Sequence, residues 1–306
     1  MTNRNEIFCS IIIPSYNSKL TICKTLESLK NMQTEHPYEV IVVDSSSDET
    51  PEIIENKYPW VQLIHLEEQT YPGSARNLGL RHSTGSIVAF LDSDCTVITE
   101  WLNIIVDTHA THKMYAAVVG SIGNGTPRNL VGCASYLIEF NEWTPKTKKR
   151  EINYILGGNV SYKKEIIMKH NLSYTDIFPS EDTIFAQDLI AKREKILFIP
   201  DLVVYHINNT SLCKVLKHQY VLGNASARAR RDKGMIGNII SKYKILVLGV
   251  PLLRYIRAFI RLLKQDIVLL GTFLVISPIY LLAVFCWSIG YMGKDHFKPT
   301  KIKVQE

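Results

Sequence analysis

Two acidic side chains that follow a predicted strand are the first candidates for chemistry. Asp92 and Asp94 stand two residues apart, directly after the apolar segment 86–91. A carboxylate pair at a strand end can hold a hard divalent cation, which prefers oxygen ligands. An Asp-x-Asp is expected about once by chance in a chain of ordinary charged content, and a turn that caps a helix is the simpler alternative. The position after an apolar strand favours the cation.

The elements that must position this pair alternate along the first hundred residues. Short apolar segments predict strands at 7–13, 38–44, 61–66 and 86–91, and helical spacing predicts helices at 19–31, from Thr50, and at 72–82. This alternation predicts an α/β fold with a mostly parallel sheet covered on both faces. Polar clusters follow the strands at 14–17, 44–48 and 92–94, so we expect them to meet in one crevice at the carboxyl ends of the strands.

The pattern is looser further along the chain. A strand is predicted near 116–121, followed by Gly157-Gly158-Asn159 and by a helix that opens at Ser180. Two short strands, 196–199 and 202–205, lead to His206, and a basic helix is predicted over 211–233.

Six segments occur in an order and spacing that resemble family 2 glycosyltransferases. They are IIIPSYN (11–17), VIVVDSSSDET (40–50), GSARNLGL (73–80), IVAFLDSDC (87–95), GGNVSYKKE (157–165) and PSED (179–182). The resemblance covers about residues 1–206 and implies a Rossmann-like GT-A domain. Such a domain transfers a sugar from a nucleotide diphosphate donor, usually with inversion and with Mn²⁺ or Mg²⁺. The Gln-x-x-Arg-Trp motif of processive relatives is absent, which favours transfer of a single sugar.

The same resemblance implies a set of donor contacts. The segment after the first strand and Asp44 would hold the nucleoside, with Asp44 accepting from a base N–H. The guanidinium fork of Arg76 suits ribose or phosphate oxygens, although a surface arginine is the alternative. UDP is the expected nucleotide because it is the commonest in the family, and GDP and dTDP stay open. The predicted nucleotide-sugar contacts are Pro14, Tyr16, Asn17, Asp44, Arg76, Asn77, Asp92, Gly158 and Asn159.

The resemblance also implies a metal site and a catalytic base. Asp94 would bind the cation, and Asp92 would hold the ribose or a metal-bound water. His206 would contact the metal or the diphosphate, with a structural histidine as the alternative. The cation would neutralise the charge that builds on the leaving phosphate. Asp182 would remove the proton of the acceptor hydroxyl, with Glu181 as the second choice. The alternative for both acids is an ordinary acidic first turn of a helix.

Composition excludes several other classes. Hydrophobic residues make up 46% and charged residues 21% of the 306-residue chain, so a folded core is expected. An oxidoreductase of the dinucleotide-binding class would carry G-x-G-x-x-G after the first strand, where this chain has Pro14-Ser15-Tyr16-Asn17. The six cysteines lack CxxC spacing, which favours a reducing compartment. The first apolar run ends at Pro14, so we expect no signal peptide.

Charge is divided along the chain. Residues 205–306 hold 16 Lys/Arg and 4 Asp/Glu, a net charge of +12, whereas residues 1–204 hold 19 and 25, a net charge of −6. The positive charge is interleaved with Leu and Ile, which favours an anionic membrane surface over a nucleic acid.

The last quarter predicts the means of membrane attachment. Residues 267–292 carry no charge and exceed the roughly 20 residues that cross a bilayer. Before them, Arg254, Arg257, Arg261 and Lys264 fall within roughly an 80° arc, which predicts an amphipathic helix with its basic face toward anionic headgroups. Both a span and a re-entrant hairpin broken at Pro278 stay open, because both flanks are positive.

These observations predict four parts and one activity. The parts are a GT-A domain over 1–210, a basic helical segment over 211–242, an amphipathic helix with an apolar membrane helix over 243–293, and a basic tail over 294–306. We expect transfer of one sugar to a lipid-linked or cell-envelope glycan at the cytoplasmic face of a membrane. The alternative is an inactive membrane-bound scaffold or binding protein with the same fold.

Overall fold

The computed structural model describes residues 9–176, 179–233 and 244–293. The predicted basic tail 294–306 and the end of the predicted segment 211–242 therefore lie outside the described residues. The described chain divides into two compact units, one formed by 9–125 and 143–207 and the other by 126–142 and 208–293. The second unit thus includes a segment, 126–142, that comes from within the predicted GT-A domain.

Nine strands are described, all in the first unit and all in one sheet. They are β1 (Cys9–Ser15), β2 (Tyr38–Asp44), β3 (Gln62–His65), β4 (Ile87–Leu91), β5 (Cys95–Val97), β6 (Tyr115–Asn124), β7 (Arg150–Ile152), β8 (Asn159–Lys163) and β9 (Lys195–His206). The order is β3-β2-β1-β4-β8-β6-β9-β5, and β7 also pairs with β9. Six of these nine strands share one direction, while β5, β7 and β8 run the other way. The sheet is therefore mixed but mostly parallel.

Helices connect the strands and form the second unit. They are α1 (Ile22–Lys30), α2 (Thr50–Lys57), α3 (Pro72–His82), α4 (Trp101–Thr111), α5 (Leu130–Phe140), α6 (Lys164–Lys169), α7 (Glu181–Ala191), α8 (Leu212–Lys233), α9 (Val250–Gln265) and α10 (Ile267–Met292). A 3₁₀ helix, Lys244–Gly249, precedes α9. Of these, α5, α8, α9 and α10 belong to the second unit.

The core of the first unit lies on the β-branched strands that the sequence predicts. Ile11, Ile12 and Ile13 of β1 are fully buried, as are the apolar residues of β2 and β4 beside them. Fully buried strands of this kind need helices on both faces of the sheet. The predicted short strands 196–199 and 202–205 are one long strand, β9, whose pairing with β6 shifts register after Gly120.

The predicted apolar helix 267–292 is present with the expected bounds as α10. It continues through Pro278, so the structure does not contain the hairpin broken at that residue, which was one of the two arrangements left open by the sequence. Proline removes one backbone hydrogen bond, but Pro278 is exposed and the helix packs along its other side. Among the described residues, α10 is the one helix long and apolar enough to cross a bilayer, by length and composition alone.

Candidate active site

The nucleoside-side residues meet where β1 and β2 end next to each other. Asp44 is fully buried, and both of its carboxylate oxygens accept hydrogen bonds: Oδ1 from Ser46 Oγ at 2.6 Å, and Oδ2 from the Ser46 N–H at 3.0 Å. His65 Nδ1 of β3 lies 2.9 Å from the same Oδ2. Sequence reasoning missed His65, although its place at the end of the third parallel strand was a usable signal.

The loop after β1 is tied to the loop after β2 by Asn17. Its Oδ1 accepts from the Ser47 N–H at 3.0 Å, and its own N–H donates to Ser46 Oγ at 2.6 Å. Asn17 has φ of 51°, in the left-handed region that asparagine tolerates better than most residues. This turn leaves Tyr16 44% exposed beside the two loops, a ring that is free of the core and able to stack on a base.

Arg76 of α3 lies among three carboxylates from distant parts of the chain. Its Nη1 is 3.0 Å from Asp182 Oδ1 and 3.2 Å from Glu181 Oε1, and its Nη2 is 3.2 Å from Asp92 Oδ1. The side chain is only 3% exposed. Although burial opposes its charge, the carboxylates of Asp182 and Asp92 hold the pKa of Arg76 above its usual value. In this structure Arg76 therefore bridges the predicted metal and base residues rather than facing outward to a ligand.

Asp182 combines burial with partial access. Burial raises the pKa of its carboxyl group to about 7; the Arg76 charge acts to lower it, and the Glu181 and Asp92 charges act to raise it. The Asp182 side chain is 22% exposed, whereas that of Glu181 is 7% exposed. A carboxyl group that titrates near neutral pH and reaches solvent is suited to general-base chemistry.

The Gly157-Gly158 pair closes around these carboxylates. The Gly157 N–H donates to Asp182 Oδ2 at 3.0 Å. A Cβ added at Gly157 would lie 2.5 Å from both Arg76 Nη2 and Asp182 Oδ2, and one at Gly158 would lie 2.5 Å from Asp92 Oδ2. A side chain at either glycine would therefore force Arg76, Asp182 or Asp92 to shift.

Two predicted donor contacts, Asn77 and Asn159, serve the framework. Asn159 is 1% exposed; its Nδ2 donates to Ser121 O and Leu202 O, and its Oδ1 accepts from Trp101 Nε1 at 3.0 Å. Asn77 bonds the backbone of Tyr174 in both directions, at 2.8 and 2.9 Å. Their donor contact was expected from the resemblance alone, whereas the Asn77 amide holds the loop at Tyr174 and the Asn159 amide joins α4, β6 and β9.

A cluster of aromatic side chains packs against the Arg76 guanidinium. The guanidinium carbon lies 5.5 Å from the ring centroid of Tyr174, and that ring stacks on Phe185 of α7 at 4.3 Å. Tyr174 also donates to or accepts from Tyr162 through the two hydroxyl groups, 3.0 Å apart. Sequence reasoning missed Tyr174, because no local pattern marks a loop tyrosine that packs on an arginine from α3.

The predicted metal residues Asp94 and His206 lie together because β5 pairs with the end of β9. Cys95 lies opposite His206 in the antiparallel register, and the Ile207 N–H donates to Asp94 O at 2.8 Å. His206 Nε2 is consequently 3.4 Å from Asp94 Oδ2. Asp94, Cys95 and His206 bring their potential ligand atoms within 4.8 Å of one another.

The chemistry of this donor set fits Mn²⁺ or Mg²⁺ through oxygen and nitrogen. Burial, followed by the charges of Asp94 and Asp92, raises the pKa of the Cys95 thiol well above its usual value. Hard cations such as Mg²⁺ and Mn²⁺ prefer carboxylate oxygen to sulfur as a ligand. A carboxylate and an imidazole leave the remaining positions for water and donor phosphate, as Mg²⁺ and Mn²⁺ sites commonly do.

Comparison with known proteins places this fold and site in a class. Residues 10–170 match the family model "Glycosyl transferase family 2". The mannosyltransferase PcManGT from Pyrobaculum calidifontis, solved with GDP-Man and Mn²⁺, has the same fold with a TM-score of 0.58, at 18% identity over 93% of this chain and 86% of that one. TarS residues 1–349 from Staphylococcus aureus, solved with UDP-GlcNAc, give a TM-score of 0.54 at 18% identity, covering 93% and 90%.

TarS is also similar to this chain in amino-acid sequence. Poly(ribitol-phosphate) beta-N-acetylglucosaminyltransferase TarS of Staphylococcus aureus is 26% identical over 208 residues, 64% of this chain and 35% of that protein. The aligned part thus spans about a third of the length of this curated relative. Because the family model covers more than half of the chain, the protein belongs to glycosyl transferase family 2.

Proposed function

We propose that this protein transfers one sugar from a nucleotide diphosphate sugar, with a UDP-sugar as the first choice, to a hydroxyl group of a glycan or lipid-linked acceptor. One observation carries the proposal. Arg76 joins Asp182, whose pKa is about 7, to Asp92, which stands two residues from Asp94 at the end of β4. The proposed base is thereby linked through Arg76 to the carboxylate that lies two residues before the proposed cation ligand.

The nucleoside would lie across the ends of β1 and β2. Tyr16, at 44% exposure, offers a face for the base, and Pro14 and Asn17 shape the loop beneath it. Asp44 would accept a hydrogen bond from a base N–H. One of its carboxylate oxygens would either release its present partner, Ser46 or His65, or accept from that partner and the base together. The UDP-GlcNAc bound to TarS supports a uridine nucleotide.

Asp94 and His206 would hold the divalent ion, with Asp92 close enough to position a water bound to it. The ion would supply positive charge that stabilises the leaving nucleoside diphosphate. The Mn²⁺ in PcManGT supports this choice. Asp92 is itself held by Arg76 at 3.2 Å, and Ser93 between the two aspartates is held by Ser18 Oγ at 2.7 Å, so the ligands are fixed before the donor binds.

The transfer step follows from the position of Asp182. Its carboxylate takes the proton of the acceptor hydroxyl, the hydroxyl oxygen attacks the anomeric carbon, and the bond to the diphosphate oxygen breaks with its electrons. One displacement of this kind inverts the anomeric centre. Asp182 is preferred to Glu181, because Glu181 is nearly buried with its Oε1 bound to Arg76 and its Oε2 to the Ser180 N–H.

The acceptor class is supported by the relative. TarS is named for transfer to poly(ribitol-phosphate). We propose a lipid-linked or cell-envelope glycan acceptor, modified at the cytoplasmic face of a membrane.

Release of UDP or GDP from a panel of sugar nucleotides with Mn²⁺ tests this function. We expect turnover with at least one UDP-sugar and loss of turnover when EDTA removes the metal. An inactive scaffold would bind nucleotide, seen as a rise in the unfolding temperature, without releasing any diphosphate. That result would contradict the transferase and support the alternative of an inactive binding protein.

A further inference from the structure

The second unit presents an apolar surface that its own packing leaves uncovered. In α10 the exposed large side chains fall in about a 140° arc that runs along the whole helix at 100° per residue. They are Ile267, Val268, Leu274, Val275, Leu281, Leu282, Phe285 and Ile289, with Gly271 and Pro278 exposed between them. No polar side chain interrupts this strip, so α10 is neither a fully buried core helix nor an ordinary surface helix.

The opposite side of α10 packs against its own unit. Phe273 and Tyr280 are buried against Tyr255 of α9, with ring centroids 4.9 and 6.1 Å apart. Gly290 approaches the backbone of Tyr220 in α8, where an added Cβ would clash with the Tyr220 carbonyl. The helix therefore has one protein-facing side and one apolar side from end to end.

The helix α9 turns out to expose its apolar side. Leu252, Leu253, Ile256, Ile260 and Leu263 are exposed and fall within about a 100° arc. The expected orientation, with all four cations facing outward, is wrong for two of them. Arg254 donates to Ile138 O at 3.1 Å, and Arg261 pairs with Glu142 at 2.8 Å, so both are used inside the unit.

Two cations stay exposed at the edge of this apolar arc. Arg257 and Lys264 are exposed, and both lie within about 40° of Leu253 when angles are measured around the axis of α9. An aliphatic strip with cations along its edge is complementary to the acyl chains and anionic headgroups of a bilayer. An interface for a protein partner would instead be enriched in aromatic side chains, Met and Arg at its core and would carry a polar rim.

A bilayer span is disfavoured by what lies beside the middle of α10. The helices α9 and α10 form an antiparallel hairpin, because Tyr255 near the start of α9 contacts Phe273 and Ser277 of α10. Tyr280, at the middle of α10, donates to Arg254 O. A spanning α10 would carry Arg254, Arg257 and the Arg261–Glu142 pair into the hydrocarbon, which is costly.

From these observations we infer that α9 and α10 lie in the plane of an anionic membrane, with the exposed strip on α10 and the exposed apolar arc of α9 buried among the acyl chains. The inference rests on the geometry of the second unit and not on the proposed transferase activity. The surface therefore anchors the protein as an interfacial hairpin rather than as a transmembrane helix.

Vesicle binding of the full chain tests the surface. Phosphatidylcholine vesicles with an equal part of phosphatidylglycerol should bind the protein, and vesicles of phosphatidylcholine alone should bind it less. Val275→Glu should weaken partitioning by about tenfold or more, because a buried aliphatic group is replaced by a charge. The matched control is Met168→Glu in α6, since both side chains are 65% exposed, and it should bind as the original protein does.

Labels at three depths separate the hairpin from a span. Val268→Cys, Val275→Cys and Leu282→Cys lie along one side of the strip, in a background where Cys23, Cys213 and Cys286 are replaced by serine. Nitroxide labels at the three sites should show equal depth in the bilayer. A depth that increases from 268 to the middle of the helix would overturn the in-plane orientation. Failure of the original protein to bind anionic vesicles, or equal binding by Val275→Glu, would overturn the membrane surface itself.

Discussion

Arg76 Nη1 lies 3.0 Å from Asp182 Oδ1, although 106 residues separate them in the sequence. This contact places a fixed positive charge against the carboxyl group that we propose as the base, and the same guanidinium reaches Asp92. A buried arginine bonded to three acids is costly to disturb from either side, since removing one partner leaves an unpaired buried charge. We therefore propose Arg76 as a positioning residue between the proposed metal-side carboxylate Asp92 and the proposed base Asp182.

The pH dependence of transfer follows from this contact. The ionised form of Asp182 is the active base, so the rate should rise as pH increases through about 7 and then level off. Arg76 lowers the pKa of Asp182, so Arg76→Gln should move this rise to higher pH, while Arg76→Lys, which keeps the charge, should leave it close to its original position. Rate against pH for the three proteins measures the effect. An unchanged pH profile in Arg76→Gln would show that Arg76 does not influence the group whose ionisation controls the rate.

Close packing at Gly157 predicts a loss of rate without loss of fold. A methyl group there would meet Arg76 Nη2 and both oxygens of Asp182, so Gly157→Ala should shift the base and reduce transfer by about 10²-fold. Gly271→Ala is the control, because an added Cβ there meets nothing within 4 Å. Steady-state rates and unfolding temperatures of both variants provide the check; full activity in Gly157→Ala would show that the base is not held by this loop.

Asn159 should matter for stability. Asn159→Ala leaves Trp101 Nε1 and the carbonyls of Ser121 and Leu202 without their side-chain partner, and should lower the free energy of unfolding by about 2–5 kcal/mol. Urea unfolding measures the change. Asn103→Ala, which loses a single bond to Gln33 O near the surface, should cost clearly less. Equal costs would argue against a framework role for Asn159.

Removal of Asp94 tests the metal site. In the original protein, UDP with Mn²⁺ should raise the unfolding temperature more than UDP alone, because the ion and nucleotide bind together. Asp94→Ala should remove the part of the rise that depends on Mn²⁺ and abolish transfer. His206→Ala should reduce both the Mn²⁺-dependent rise and the rate of transfer, but less than Asp94→Ala does. A rise with Mn²⁺ that is the same in Asp94→Ala would place the ion elsewhere.

Local patterns were enough to predict β1 to β4, β6 and the two segments that form β9, but not the short strands β5, β7 and β8. The β-branched run Ile11–Ile13 and the uncharged run that becomes α10 depend on nearest neighbours only, and both were predicted. The meeting of Asp94 with His206 was also expected, and it arises because two strand ends pair.

Features that depend on packing between distant segments were not predicted. The role of Arg76 depends on residues 181 and 182, which reach it through the folding of a loop. The helix α5 was missed, as was Glu142 shortly after it, whose carboxylate pairs with Arg261 inside the second unit. Helical periodicity shows that a basic side exists, but the direction in which it points is decided by the partners it finds.

Transfer by Asp182→Asn, measured beside donor affinity, tests the central claim most directly. The substitution keeps the shape of the side chain and removes the base, so transfer should fall by roughly 10²–10⁴-fold while the affinity for the nucleotide sugar stays unchanged. Glu181→Gln should be less impaired, because Glu181 is buried against Arg76 and Ser180. An Asp182→Asn protein that transfers sugar at the original rate would contradict the account.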